Sequence, residues 1–98
     1  MIYRLLVPTT FDDTDAVRVL EWHFRPNDRV STGSLFVELE THKALIEVRA
    51  GRDGVVRRLL VGEGEWCPLG GALALLSDEA EEPIDETASE WVADFAIG

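Results

Sequence analysis

Apolar and polar residues alternate along this chain in short runs with a period of two, and clusters of turn-forming residues separate the runs. The runs are "IYRLLV" (2–7), "AVRVLEWHF" (16–24), "LFVELE" (35–40), "ALIEVRA" (44–50), "GVVRRLLV" (54–61) and "ALALL" (72–76). β-Branched residues recur in them, and a period of two sends successive side chains to opposite faces of a strand. The breaks are "RPND" at 25–28, "STGS" at 31–34, "RDG" at 52–54, "GEGE" at 62–65 and "PLGG" at 68–71. They are built from the Gly, Pro, Asn, Asp and Ser that favour turn geometry. Many short strands at this spacing predict an all-β fold, a sandwich or a barrel.

The pattern also repeats. A shift of 37 residues lays "VRVLEWHFRPNDRVSTGSLF" (17–36) over "GVVRRLLVGEGEWCPLGGAL" (54–73). Val19 then meets Val56, Trp22 meets Leu59, Phe24 meets Val61, Asp28 meets Glu65, Val30 meets Cys67 and Phe36 meets Leu73. Gly33 meets Gly70, where the backbone is expected to need a positive φ. Each half is too small to close a core alone. The prediction is a flattened β-sandwich of two antiparallel sheets with pseudo-two-fold symmetry. The segment between the halves becomes a hairpin tip at one end of the molecule, with the chain termini near the other.

That tip holds "FVELETHKALIEV" (36–48), and within it Lys43, the single lysine beside eight arginines. Leu39 and Leu45 flank a polar "ETHKA" that has no apolar reason to be buried, so Lys43 is expected to be exposed. Glu40 and Glu47 flank it on the strands, and Glu47 reads as an ordinary solvent-facing strand residue. His42 reads as an exposed turn residue without a catalytic partner.

Composition narrows the function classes. With 46% hydrophobic residues and three tryptophans, the chain is globular rather than disordered. No apolar run approaches the roughly 20 residues that span a bilayer, and "MIYRLLVPTT" lacks a secretory h-region and cleavage site, so a cytoplasmic protein is expected. The net charge of −10 is uneven: residues 1–76 hold eleven acids and nine bases, and residues 77–98 hold eight acids and no base. Nothing basic enough to displace counterions from phosphates is present, which argues against nucleic-acid binding. Cys67, the one cysteine, excludes an internal disulfide and, aligned with Val30, reads as a buried inert thiol. Two histidines far apart in sequence suggest no metal-ligand cluster. Trp22 and Trp66 are assigned to the core or its edge.

The stretch "NDRVSTGSLFVELETHKALIEVRAGRDGVVRRLLVGEGEWCPLGGALALL" resembles the lipoyl domains of 2-oxo acid dehydrogenase complexes, within the biotinyl/lipoyl carrier family. The likeness covers roughly residues 2–76, and its most specific element is E-T-x-K-A at 40–44 ahead of the "DGVV" strand start. It implies that Lys43 carries lipoic acid in amide linkage and that Glu40 helps a lipoyl ligase or lipoyltransferase choose the site. It also implies that a 2-oxo acid decarboxylase and a dihydrolipoamide dehydrogenase are the partners. The chain departs from the family at His42, where Asp is common, and at Val17 and Asn27, where Gly is common. His42 therefore becomes a second candidate for recognition by the ligase or a partner.

The expected role is a swinging arm that shuttles acyl groups and electrons between active sites. The chain offers no nucleophile–base pair of its own, so it reads as a carrier, free-standing or part of an acyltransferase component. An unmodified lipoyl-like binding or scaffold module is the alternative. A biotin carrier is disfavoured, because such domains typically have Met on both sides of the lysine, where this chain has His42 and Ala44. The domain is drawn at residues 1–76, with 77–98 an acidic linker and C-terminal tail. Residues 77–86 are expected to be mobile. Thr87 and Glu90 suggest a capping box that opens a helix with Ala88, Trp91, Val92 and Phe95 on one face; a strand packed back on the domain, or a docking peptide, are the other readings.

Overall fold

A computed structural model describes residues 1–11, 14–84 and 88–97, and every regular element among them is a strand. The alternating runs form β1 (Ile2–Leu6), β2 (Ala16–Trp22), β4 (Leu35–Glu40), β5 (Leu45–Ala50), β6 (Gly54–Leu59) and β8 (Ala72–Ser77). Two short strands lie in segments that sequence reading assigned to no strand, β3 (Arg29–Val30) and β7 (Trp66–Pro68), and two more follow in the tail, β9 (Ala88–Glu90) and β10 (Ala93–Ile97). The period of two is cleanest in β5, where Ile46, Val48 and Ala50 are buried and the residues between them are exposed.

The strands build two five-stranded sheets, β3-β6-β8-β1-β9 and β10-β5-β4-β2-β7. All pairings are antiparallel except β1 with β9, which is parallel. Their facing sides meet in one core that includes Leu5, Val19, Phe36, Leu39, Ile46, Val56, Leu73 and Leu76. This is the β-sandwich that the alternation predicts.

The internal repeat is real at the level of single hydrogen-bonded pairs. Val30 pairs with Gly54 across β3 and β6, and Val17 pairs with Cys67 across β2 and β7; each is the other's image under the 37-residue shift. Val19 pairs with Leu39, and its image Val56 with Leu76; Trp22 pairs with Val37, and its image Leu59 with Ala74. Even the irregularities match, since the register slips between Val19 and Glu21 in one half and between Val56 and Arg58 in the other. The matched turns carry matched positive φ, 88° at Gly33 with 82° at Gly70, and 79° at Asn27 with 87° at Gly64. Asn27 fills a left-handed position that most L-residues avoid and Asn tolerates, so the loss of the family's glycine there leaves the turn intact.

The tail departs from the helical reading. Glu90 lies in an extended strand rather than at a helix start, and Thr87, its expected capping partner, lies outside the described residues. β9 adds to the edge of one sheet beside β1 and β10 to the edge of the other beside β5. Trp91, between them, is only 2% exposed and stands among the largest buried side chains of the core. Its ring meets Tyr3 edge-on at 5.5 Å, and its backbone N–H donates to the Arg4 carbonyl at 2.7 Å. The hydrophobic core thus continues past residue 76. Residues 78–84, read from sequence as the start of a free linker, are tied down as well. The Met1 amine meets Asp78 and Glu82, the Tyr3 hydroxyl donates to Asp78, and Arg57 donates to the Glu82 carbonyl at 2.7 Å.

The lysine hairpin as candidate functional site

β4 and β5 are joined by the four residues 41–44, and the last residues of the two strands, Glu40 and Leu45, pair directly. The Thr41 N–H donates to the Ala44 carbonyl at 2.9 Å. In return the Thr41 hydroxyl accepts from the N–H groups of Lys43 and Ala44, at 3.2 and 3.1 Å. A threonine side chain thus takes up the backbone donors of a turn too tight to pair them with carbonyls. Neither His42 nor Lys43 needs a positive φ. Both are exposed, so the lysine stands at a hairpin tip between ladders, as predicted.

Each flanking acid has a neighbour. Glu40 is ion-paired with Arg18 of β2 at 3.0 Å, and Arg18 also donates to the Gly64 carbonyl. Glu47 is exposed and 3.8 Å from Arg49. Arg18 stands opposite Glu40 in the ladder, so Glu40 faces outward on the wall of the hairpin rather than at its tip. The other end of the molecule, related by the repeat, holds Met1 and Asp78, which puts the N-terminus where symmetry requires it. The C-terminal strand does not follow: β10 runs antiparallel to β5, so Ile97 comes back to the lysine end.

Two grooves flank the tip, and sequence reasoning missed both. One, of about 410 Å³, is lined by Thr14, Asp15, Ala16, His42 and Trp66. The His42 ring lies 5.5 Å from that of Trp66, which is 49% exposed on edge strand β7. The other, of about 240 Å³, contains Lys43, Thr41 and Ile46 with Thr10 and Phe11 from the β1–β2 connection and Ile97 from β10. A signal was present in the repeat: the β1–β2 connection spans residues 7–15, whereas its counterpart between β5 and β6 spans only 51–53. The extra residues break the symmetry at the lysine end.

Elsewhere, Trp22 is half-buried, packs on Phe36 and donates its indole N–H to the Val61 carbonyl at 2.9 Å. Cys67 is buried, its thiol is pushed up by that burial, and it donates to the Pro68 carbonyl, the surroundings of an unreactive thiol. The histidines do not stay isolated as sequence spacing suggested. Strand pairing sets Glu21 opposite Glu38, and His23 joins them in a group whose ligand atoms lie within 4.8 Å of one another. Its Nε2 is 2.7 Å from Glu38 and its Nδ1 3.9 Å from Glu21. The two ring nitrogens face different carboxylates, one on β2 and one on β4.

The fold is a β-sandwich of two matching halves, with the chain's only lysine exposed on the hairpin that joins them. The chain belongs to the family described as biotin-requiring enzyme, the biotinyl/lipoyl attachment family, whose profile matches residues 5–76. It is 28% identical over 86 residues to the dihydrolipoyllysine-residue acetyltransferase component of the pyruvate dehydrogenase complex of Rickettsia felis, covering 87% of this chain and 21% of that protein. It is 33% identical over 87 residues to the succinyltransferase component of the 2-oxoglutarate dehydrogenase complex of Staphylococcus saprophyticus, covering 89% and 20%. The mitochondrial pyruvate dehydrogenase protein X component of Mus musculus is 29% identical over 80 residues, covering 81% and 16%. The chain spans about a fifth of the length of these relatives or less.

Proposed function

We propose that this chain is a lipoyl carrier domain in which Lys43 bears a lipoyl group and serves as a swinging arm of a 2-oxo acid dehydrogenase-type complex. The observation that carries the reading is the exposed Lys43 on a hairpin tip of a biotinyl/lipoyl sandwich whose relatives are named as acyltransferase components of such complexes. The residues fit the group. The amine is primary, it projects from a turn fixed by Thr41, and an apolar groove lies beside it. His42 and Ala44 replace the methionines typical of biotin sites, which favours lipoate over biotin.

The chain's own part in the work is mechanical and electrostatic. β4 and β5 hold the tip so that a lipoyl ligase or lipoyltransferase meets one amine in one orientation. Acylation removes the charge of Lys43 and leaves a neutral amide at the root of the arm. The lipoyl group itself supplies a disulfide that takes up electrons and an acyl group together, chemistry no side chain offers. The sandwich then keeps the arm at high effective concentration near a 2-oxo acid decarboxylase, an acyltransferase centre and a dihydrolipoamide dehydrogenase.

His42 on Trp66 supports one other reading, an unmodified binding module, because it places an aromatic pair where the family commonly has an aspartate. Incubation with a lipoyl ligase, ATP and lipoic acid separates the two. The carrier reading expects one adduct, mapped to the peptide containing Lys43; an unmodified product with an active ligase favours the binding module.

A further inference from the structure

The groove between Lys43 and β10 has an apolar wall that the sandwich leaves open. Ile97 stands directly opposite Ile46 in the β10–β5 ladder, and residues directly opposite in an antiparallel pair share a face. Ile46 is buried, so Ile97 is turned toward the same inner face, yet it remains 64% exposed. Phe11, from the β1–β2 connection, packs edge-on against Phe95 at 6.2 Å and lines the same groove. An isolated surface isoleucine needs no explanation. Here an inward-facing isoleucine and a phenylalanine line the same groove as the side chain that presents the amine, together with Thr10 and Thr41.

Resting on the lipoyl reading of Lys43, we propose that the acyl chain attached there folds back into this groove and parks against Phe11 and Ile97, so that the arm alternates between a sheltered and an extended position. The occupant is fixed by attachment, because Lys43 is itself part of the groove and a tether of a few bonds keeps the chain at high effective concentration there. The chemistry also matches: a run of methylenes meets apolar side chains, while the amide at its root lies near threonine hydroxyls. β10, which contributes Ile97 to this wall, lies beyond the residues that the family profile matches. A parked arm shields its sulfur end from solvent, and a partner enzyme must draw it out.

The test attaches an octanoyl chain to Lys43 with the N-hydroxysuccinimide ester of octanoic acid, a route that needs no ligase. The Lys43 mono-adduct is separated chromatographically from material acylated at the α-amine, and peptide mapping of an aliquot identifies it. In the wild-type adduct, isotope-edited NMR should give NOEs from the end of the octanoyl chain to the Phe11 ring and the Ile97 and Ile46 methyls. Phe11→Ser and Ile97→Asp should each abolish those NOEs, with the core methyl shifts of Val19 and Leu73 unmoved. Octanoyl resonances at free-amide positions without NOEs to the protein would overturn the proposal, as would NOEs to Trp66 and His42 in the opposite groove. Failure of a ligase to modify Lys43 would instead remove the lipoyl reading and leave the octanoyl result standing.

Discussion

At the scale of single residues the site depends on Thr41 more than its neighbours do. Its hydroxyl accepts two backbone N–H groups of the tip. Thr41→Val keeps the β-branched shape and deletes only the acceptor. A typical hydrogen bond contributes about 0.5–1.5 kcal/mol, and water can reach this turn, so the loss of stability in urea should fall toward the lower part of that range. Lipoylation should slow more visibly, because the tip loses its fixed shape; an unchanged initial rate would show that the ligase remoulds the turn by itself. His42 is the other informative position. His42→Asp restores the residue common in the family and removes the ring from Trp66. It should speed modification by a general lipoyl ligase, and equal rates would remove His42 as a recognition element.

At the scale of elements, the tail explains two glycines that the repeat alone does not. Gly54 occupies the place that Val17 holds in the other half. A Cβ there would lie 2.5 Å from the Trp91 ring, and a Cβ at Gly51 would lie 2.7 Å from Val92. The missing side chains at this corner leave the space that Trp91 and Val92 fill. Gly54→Ala should therefore destabilise by about 1–3 kcal/mol, the usual cost of overpacking. Trp91→Ala should cost about 3–5 kcal/mol, as large aromatic truncations do. In the double variant the Gly54→Ala cost should fall, because its main obstacle is gone, and chemical denaturation of all four proteins measures that coupling. Strictly additive losses would mean that Trp91 does not press on Gly54.

The same corner shows what was legible in the sequence. Strands β1, β2, β4, β5, β6 and β8 could be read because each half-buried strand must alternate, and the repeat fixed how they pair. The tip could be read because it is polar between two apolar strand ends. β9 and β10 could be read only as one of two choices, a helix or a strand packed back on the domain, because Ala88, Trp91, Val92 and Phe95 fit a helical stripe as well as a strand. The grooves were hidden for a similar reason. Trp66 and His42 in one groove, and Phe11, Lys43 and Ile97 in the other, lie far apart in the chain and come together only in the folded domain.

At the scale of the whole molecule, the end opposite the lysine is closed by charge. Glu82 is held below the usual carboxylate range, chiefly by the hydrogen bond from the Met1 amine. Asp78 is also lowered: burial would raise it, and hydrogen bonds from the Met1 amine and the Tyr3 hydroxyl together outweigh that. The Met1 amine is raised above its ordinary 8.0, first by its bond to Glu82. The two lowered carboxylates contribute stability that is present above their unfolded pKa values and lost as pH falls through the folded ones. The raised amine contributes stability that is present below 8.0 and lost as pH climbs through its folded value. The melting temperature should therefore decline on both sides of a neutral plateau, and blocking the α-amine should remove the alkaline decline that this group causes. The Met1 amine and Asp78 are solvent-exposed and Glu82 is partly so, so added salt should shrink both effects. An alkaline limb that persists unchanged after blocking would assign it to other groups.

Whether Lys43 anchors the arm is read from the intact mass of the protein isolated from its own organism, wild type beside Lys43→Arg. Wild type should carry a lipoyl adduct mapped to Lys43, and Lys43→Arg should carry none. The variant should fold with stability within about 0.5 kcal/mol of wild type, as exposed charge-conserving changes usually do. Wild-type protein that carries no lipoyl group, and accepts none from that organism's ligase, would rule out the carrier role and leave a lipoyl-like binding module.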